Sequence, residues 1–161
     1  MDTDARTAGR RIRVEDLVGA WRLREYVTRD VTGRVEHPLG EAPVGLLLYT
    51  ADGHHAGHMT RATRQPFAEP RTEAVDRAKG TDTEVRRAFD EYFGYAGTYQ
   101  VDPDGSVVRH AIALCLIPGW EGRTTVREAA LDEAGTTLVL TTPPRVVGGV
   151  EQRARLTWVR P

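Results

Sequence analysis

Short runs of alternating apolar and polar residues, each closed by a turn signal, make up most of this chain. In AWRLREYVTRD, Trp21, Leu23 and Glu25 alternate with Arg22, Arg24 and Tyr26, the two-residue period of a half-buried strand. VGLLLYT, the turn ADG and HHAGHMT read as a hairpin, with Asp52-Gly53 supplying the positive φ values of a tight turn. GTYQV and VVRHAIALCLI flank Asp102 to Gly105 as a second hairpin, and RTTVREAAL and TTLVLTT flank Asp132 to Gly135 as a third. EQRARLTWVR closes the series. Strands that follow one another through short turns predict an antiparallel meander, and closure into a barrel removes both of its unpaired edges.

One stretch follows a different period. TDTEVRRAFDEYFG places Val85, Ala88, Phe89 and Tyr92 at helical spacing, with Thr81 and Glu84 as a capping box and Gly94 as the stop. Residues 61 to 80, ahead of it, are charged and irregular, and a connection of that length in a compact domain is usually disordered or functional, often a lid. Loop and helix together suit the mouth of a barrel. Residues 1 to 13 are polar and aperiodic and read as a flexible tail, leaving one domain over 14–161.

Composition narrows the function classes. With 161 residues, 40% hydrophobic, 28% charged and a formal charge of −1, the chain is an ordinary soluble domain with no global field for nucleic acid or an anionic membrane. Cys115 is the only cysteine, which excludes an intramolecular disulfide and a thiolate-rich metal cluster. No apolar run spans a bilayer and the N-terminus lacks an apolar leader core, so the cytoplasm is the expected location. The nucleophile-elbow, phosphate-loop and dinucleotide fingerprints are all missing.

The chemistry rests on histidines. His54, His55 and His58 fall within five positions. On a helix His54 and His58 would share a face and bind one zinc ion, but the preceding strand and turn make the segment extended. That separates them by roughly 13 Å, and no metal is expected. With Asp52-Gly53 as the turn, Leu46, Leu48 and Thr50 share a face with His55, Gly57 and Met59, and Leu47 and Tyr49 share the other with His54, Ala56 and His58. Residues 46 to 48 are apolar on both sides, so either face suits the interior: His55 beside Gly57, or His58 beside Tyr49. An inward histidine titrates near neutrality and serves as general acid or base, whereas a solvated place on the outer wall is expected for at least two of the three.

His110 alternates with Val108, Ile112, Leu114 and Leu116 and is therefore expected inside, with Tyr99 on the adjacent strand as its hydrogen-bond partner. Such a pair is either a satisfied core contact or a group that polarises a ligand carbonyl. Arg127 inside a barrel requires an anionic ligand or a carboxylate such as Glu25; outside, it is an ordinary solvated arginine. Trp21 and Trp158 are expected to close one end, with Arg160 stacked on an indole face. Trp120, in IPGWEG, belongs to a rim.

Several blocks in order resemble the bacterial lipocalin-like domain family: LVGAWRL at 17–23, VGLLLYTADG at 44–53, YAGTYQVD at 95–102, VVRHAI at 107–112, PGWEG at 118–122 and LVLTTPP at 138–144. LVGAWRL is similar to the Gly-x-Trp opening of lipocalin-type barrels. The resemblance implies a mainly β fold, a closed antiparallel barrel around a small-molecule cavity, with the short helix near its mouth. Related barrels include passive carriers and enzymes, among them cyclases of polyketide-type intermediates. Family members usually carry arginine-, methionine- and glutamine-like residues where this chain has His54, His55 and His58, so ligand identity is not inherited. The expected function is a cofactor-independent cyclase or isomerase acting on a hydrophobic, oxygenated, polyketide-like intermediate; the alternative is a non-catalytic carrier of such a molecule. His110, Tyr99, His55, His58 and Tyr49 are the candidate catalytic groups. Leu114, Trp120, Arg127, Met59 and Phe89 are the candidate ligand contacts. Neither cofactor nor metal is expected, and the partner is a small hydrophobic molecule bound by a monomer or homodimer.

Overall fold

A strand that is apolar on alternate positions hides one face only if neighbours carry the same face inward, and here they do so all the way round. The computed structural model describes residues 10–69 and 80–161. A one-turn helix α1 (Val14–Leu17) leads into β1 (Gly19–Asp30), followed by β2 (Val35–Glu36), β3 (Val44–Tyr49) and β4 (His54–Thr60). Helix α2 (Asp82–Asp90) precedes β5 (Tyr92–Val101), β6 (Val107–Cys115), β7 (Thr124–Leu131), β8 (Thr137–Thr141), β9 (Arg145–Val147) and β10 (Val150–Val159). The ring runs β1-β3-β4-β5-β6-β7-β8-β10, antiparallel throughout, and closes where β10 pairs back onto β1. The short β2 and β9 flank this seam at the mouth. Neither was read from the chain, although RVVGGVE carries the two-glycine turn of the β9–β10 hairpin.

The deep end is shut by side chains that the chain pattern anticipates. Trp21 and Trp158 are almost completely buried, with Leu17, Leu131 and Leu138 fully so. The Trp21 indole N–H donates to the Leu17 carbonyl at 2.8 Å. Arg160 lies 4.1 Å from the Trp21 ring centroid and donates to the carbonyls of Asp16 and Val18, so one cation both stacks on the indole and satisfies orphan carbonyls at the end of α1. Residues 10–13 pack here rather than trailing as a tail: Ile12 is buried and its N–H donates to Gly105, and Arg10 pairs with Asp16 at 2.8 Å. The remainder of the expected tail, residues 1–9, lies outside the described residues.

Three irregularities reset which residues face inward. First, the Thr50 N–H donates to the His54 carbonyl at 2.9 Å, which leaves three turn residues between β3 and β4, Ala51 to Gly53, with only Gly53 at positive φ (86°). The two-residue turn expected at Asp52-Gly53 would have paired Leu48 with Gly57; the longer loop pairs Tyr49 with His55 and Leu47 with Gly57. The inner set is therefore Leu47, Tyr49, His55, Gly57 and Met59, while Leu46, Leu48, His54 and His58 face outward. Second, a bulge between Leu23 and Glu25 sends Tyr26 and Thr28 inside and Glu25 out toward Arg155. Third, a bulge opposite Ala96 and Gly97 leaves Ala113 as the extra residue and turns Leu114 outward, 69% exposed, against the inward placement expected for it. Cys115, the next residue, takes the inner position opposite Tyr95. Leu114→Lys is accordingly expected to change the unfolding free energy by no more than about 0.5 kcal/mol. Ile112→Lys, a charge in the core, should cost about 3 kcal/mol or more. Urea denaturation of the two variants checks the register.

Around the mouth, α2 starts with the expected capping box of Thr81 and Glu84. It stops at Asp90, because Tyr92 already pairs with Thr60; Gly94, the expected stop, is inside β5. No residue of α2 is buried, and Phe89 is 42% exposed, so it forms no part of the inner wall. Residues 61–69 are irregular, as expected of the connection, and lie along the helix, with Arg64 donating to the Ala88 carbonyl and the Ala68 N–H donating to Glu84. The rest of the expected lid, residues 70–79, lies outside the described residues. Among the described residues no helix is long and apolar enough to cross a membrane.

Candidate functional site

Four consecutive strands of the ring place polar aromatics on one stretch of inner wall. β3 supplies Tyr49, β4 His55, β5 Tyr95 and Tyr99, and β6 His110; all five are less than a tenth exposed. Their rings interlock: His55 to His110 is 4.5 Å between centroids, Tyr49 to Tyr99 4.6 Å, His55 to Tyr95 5.3 Å and Tyr49 to His110 5.7 Å. Space for these rings comes from the glycines between them. Gly57 and Gly97 occupy inner positions beside His55, and a Cβ on Gly57 would stand 3.2 Å from the Tyr95 ring.

The hydrogen-bond partner of His110 is Tyr49, not Tyr99. The Tyr49 hydroxyl lies 2.7 Å from His110 Nε2, a contact that crosses the barrel between β3 and β6. Tyr99 is opposite His110 in the β5–β6 ladder, as expected, yet its hydroxyl points along the wall and donates to the Thr50 carbonyl at 2.9 Å. His58 is exposed and bonded to Tyr92, and His54 sits beside Asp52 on the outer surface, so the extended β4 divides the three histidines one in, two out.

The cluster is electrically neutral around one cation. Burial pulls His55 down to about 4, opposed only by the nearby Ala111 carbonyl. His110 is also held well below the usual imidazole range, by burial first, then by His55 and Arg127. Burial also raises Tyr49, Tyr95 and Tyr99. Both imidazoles are thus uncharged bases and all three phenols remain protonated at neutral pH. Arg127 resolves to the interior: it is opposite Val108, which has no exposed surface, and its charge acts on Tyr49, Tyr95 and His110.

Of six buried side-chain polar atoms without a hydrogen-bond partner among the described residues, four belong to this wall: both ring nitrogens of His55, His110 Nδ1 and Thr125 Oγ1. Thr125 is opposite His110 on β7. An unsatisfied buried polar atom costs about 1–3 kcal/mol, so their concentration at one place marks where a polar guest would offset the cost. Toward the mouth the lining becomes apolar, with Met59, Phe93 and Trp120; Phe93 meets Trp120 edge-on at 5.8 Å. Thr125 and Tyr95 were not singled out from the chain, although each shares an alternation with a residue that was, Arg127 and Tyr99 respectively.

A barrel of this topology, closed at one end and lined by apolar and hydrogen-bonding side chains, can be set against known families. A family model described as lipocalin-like domain matches residues 18–161. The chain belongs to that family. This lipocalin-like barrel is also 33% identical over 96 residues to the 4'-hydroxy-3'-methoxypropiophenone carrier protein ppsC of Aspergillus oryzae (strain ATCC 42149 / RIB 40), covering 55% of the present chain and 85% of the relative. The relative is fungal, so the likeness is not confined to bacteria. Small-molecule binding is the property that this lipocalin-like fold and its relative share.

Proposed function

We propose that this protein binds a small, hydrophobic, oxygenated molecule inside the barrel and acts as its carrier. The observation that carries this reading is the group of partnerless buried polar atoms on His55, His110 and Thr125, facing an otherwise aromatic and aliphatic interior. A guest with an apolar body and one or two oxygens satisfies both features. The carrier named for a hydroxylated aromatic ketone supports the same chemical class.

A second reading, a cofactor-independent cyclase or isomerase of a polyketide-like intermediate, is favoured by one observation. His110 keeps Nδ1 without a partner beside the Tyr49 hydroxyl, a geometry in which the ring takes a proton from a carbon beside a carbonyl while the hydroxyl donates to the oxygen.

The test uses 4'-hydroxy-3'-methoxypropiophenone as probe, with indole fluorescence as the signal. Saturable binding with about one site per chain is expected, weakened roughly five- to a hundredfold by His55→Ala, the equivalent of one to three kcal/mol for a lost buried hydrogen bond. Recovery of the probe unchanged after long incubation, and of candidate polyketide-like ketones likewise, supports the carrier. Conversion of any of them that is abolished in His110→Ala supports the enzyme. Absence of saturable binding would sink both.

A further inference from the structure

A half-buried arginine on the inner wall, Arg127, with no counter-ion among the described residues is the feature that the binding reading leaves unexplained. Glu128, its neighbour in sequence, pairs with Arg153 at 3.1 Å on the outer wall. Glu25, the carboxylate expected to neutralise it, faces Arg155 at 3.9 Å because the β1 bulge turned it outward. Among the described residues no carboxylate lies within ion-pair reach of Arg127; its hydrogen bond is to the carbonyl of Val126 at 2.8 Å. The phenols around it do not compensate either, since burial outweighs the pull of Arg127 and keeps Tyr49 and Tyr95 protonated. His55, His110 and Tyr99, which face the same space, are neutral at pH 7. A cation half-buried on a wall of neutral groups leaves a place for a guest that brings the negative charge.

Resting on the reading that a small molecule enters the barrel, we propose that this molecule binds as an anion, the ionised hydroxyl of a phenol or enol conjugated to a carbonyl, with its charged oxygen against the Arg127 guanidinium. Two observations select this class over a simple carboxylate. The first is that the surrounding groups are aromatic rings and neutral donors, which suit a flat anion whose charge is spread over a conjugated system and is cheaper to desolvate. The second is that His55, 3% exposed, and His110, with no exposed surface, hold three ring nitrogens without partners on the same wall, so a second oxygen of the guest has groups to meet. Conjugation puts charge on both ends of the guest, one for Arg127 and one for the imidazoles. His55 and His110 are separated from Arg127 by no more than the width of this wall, since Thr125, two residues from Arg127, is opposite His110.

The experiment uses 4-nitrophenol, whose phenolate and phenol absorb at different wavelengths, with 4-nitroanisole and benzoate as the neutral and carboxylate comparisons. Spectra are taken just below the pKa of the free probe, where the free probe is mainly the neutral phenol. The bound probe is expected to show the phenolate band, because an opposite charge this close lowers an acid's pKa by roughly one to three units. Arg127→Gln is expected to restore the neutral band and weaken binding roughly ten- to a thousandfold. Arg127→Lys should keep the phenolate band, and Arg153→Gln, on the outer wall, should match the parent. A bound probe that stays neutral in the parent protein overturns the inference without needing any variant. So does a phenolate band that survives Arg127→Gln, equal affinity for 4-nitroanisole, or tighter binding of benzoate than of 4-nitrophenol. If none of the three probes binds saturably, the binding reading itself fails.

Discussion

Lowering the pH from 6.5 to about 4 should remove about 3 kcal/mol of unfolding free energy through His55 alone. The folded-state pKa is depressed, so above 6.5 the imidazole is neutral in both states and its contribution is fully present. Below 6.5 the unfolded chain takes up a proton that the folded one refuses, and the loss is complete once the folded site also protonates near 4. The interval of 2.5 units, at about 1.4 kcal/mol each, sets the size. His110 is shifted the same way and deepens the loss. Carboxylates act elsewhere: Asp132 is held at about 2 by backbone N–H groups of Thr136 and Thr137, and Asp16, Asp30, Asp52 and Asp104 are lowered too, so their contributions fade only below the usual carboxylate value of 3.8. Urea titrations across this range should show a slope that is largely abolished in a His55→Gln/His110→Gln double variant. A parent protein with constant stability from 6.5 down to 4 would mean that these imidazoles are not held neutral by burial.

Gly97→Ala should be the most damaging single methyl addition in the barrel, at about 3 kcal/mol or more. The added Cβ would run into the Ala111 carbonyl oxygen and stand 3.0 Å from the Ala113 nitrogen. Both are backbone atoms, so no rotamer change relieves the contact and the β5–β6 ladder must part at the bulge. Gly97 also sits between His55 on β4 and Ile112 on β6, so parting the strands dismantles the wall that carries both histidines. Gly119→Ala is the control: its φ is 84°, nothing lies within 4 Å, and the cost is backbone strain alone, about 1 kcal/mol. Thermal melts of the two variants should differ clearly, and equal melting would show that the close strand approach is not rigid.

Strand order, hairpin positions and the helix with its capping box were all legible in the chain, because residue periodicity and turn residues are local signals. What was not legible is phase. One extra residue in the β3–β4 loop and one at Ala113 are invisible to alternation, yet each reverses every side chain beyond it. The pairing of Tyr49 with His55 and the outward turn of Leu114 both follow from such single-residue steps. The Tyr49–His110 contact was hidden for a different reason. Register relates neighbours in a ladder, whereas these two residues, 61 positions apart, meet across the interior between strands that do not touch. Arg127 was readable as a cation that needs a partner if it lies inside, but its lack of a carboxylate partner among the described residues depended on a bulge in β1 that turned Glu25 away.

The seam between β1 and β10 also sets the order in which this protein can assemble. Their pairing joins Arg22 to Val159 and Asp30 to Gln152, spanning nearly the whole described sequence. Hairpins such as β5–β6 close within a few residues, but the ring cannot close until β10 has been synthesised. Until then β1 and β8 are open edges able to pair with other chains, and such non-local closure is slow. Arg160, just beyond β10, locks that late event by stacking on Trp21 and gripping α1. A nascent chain that pauses before β10 is therefore the species most exposed to aggregation.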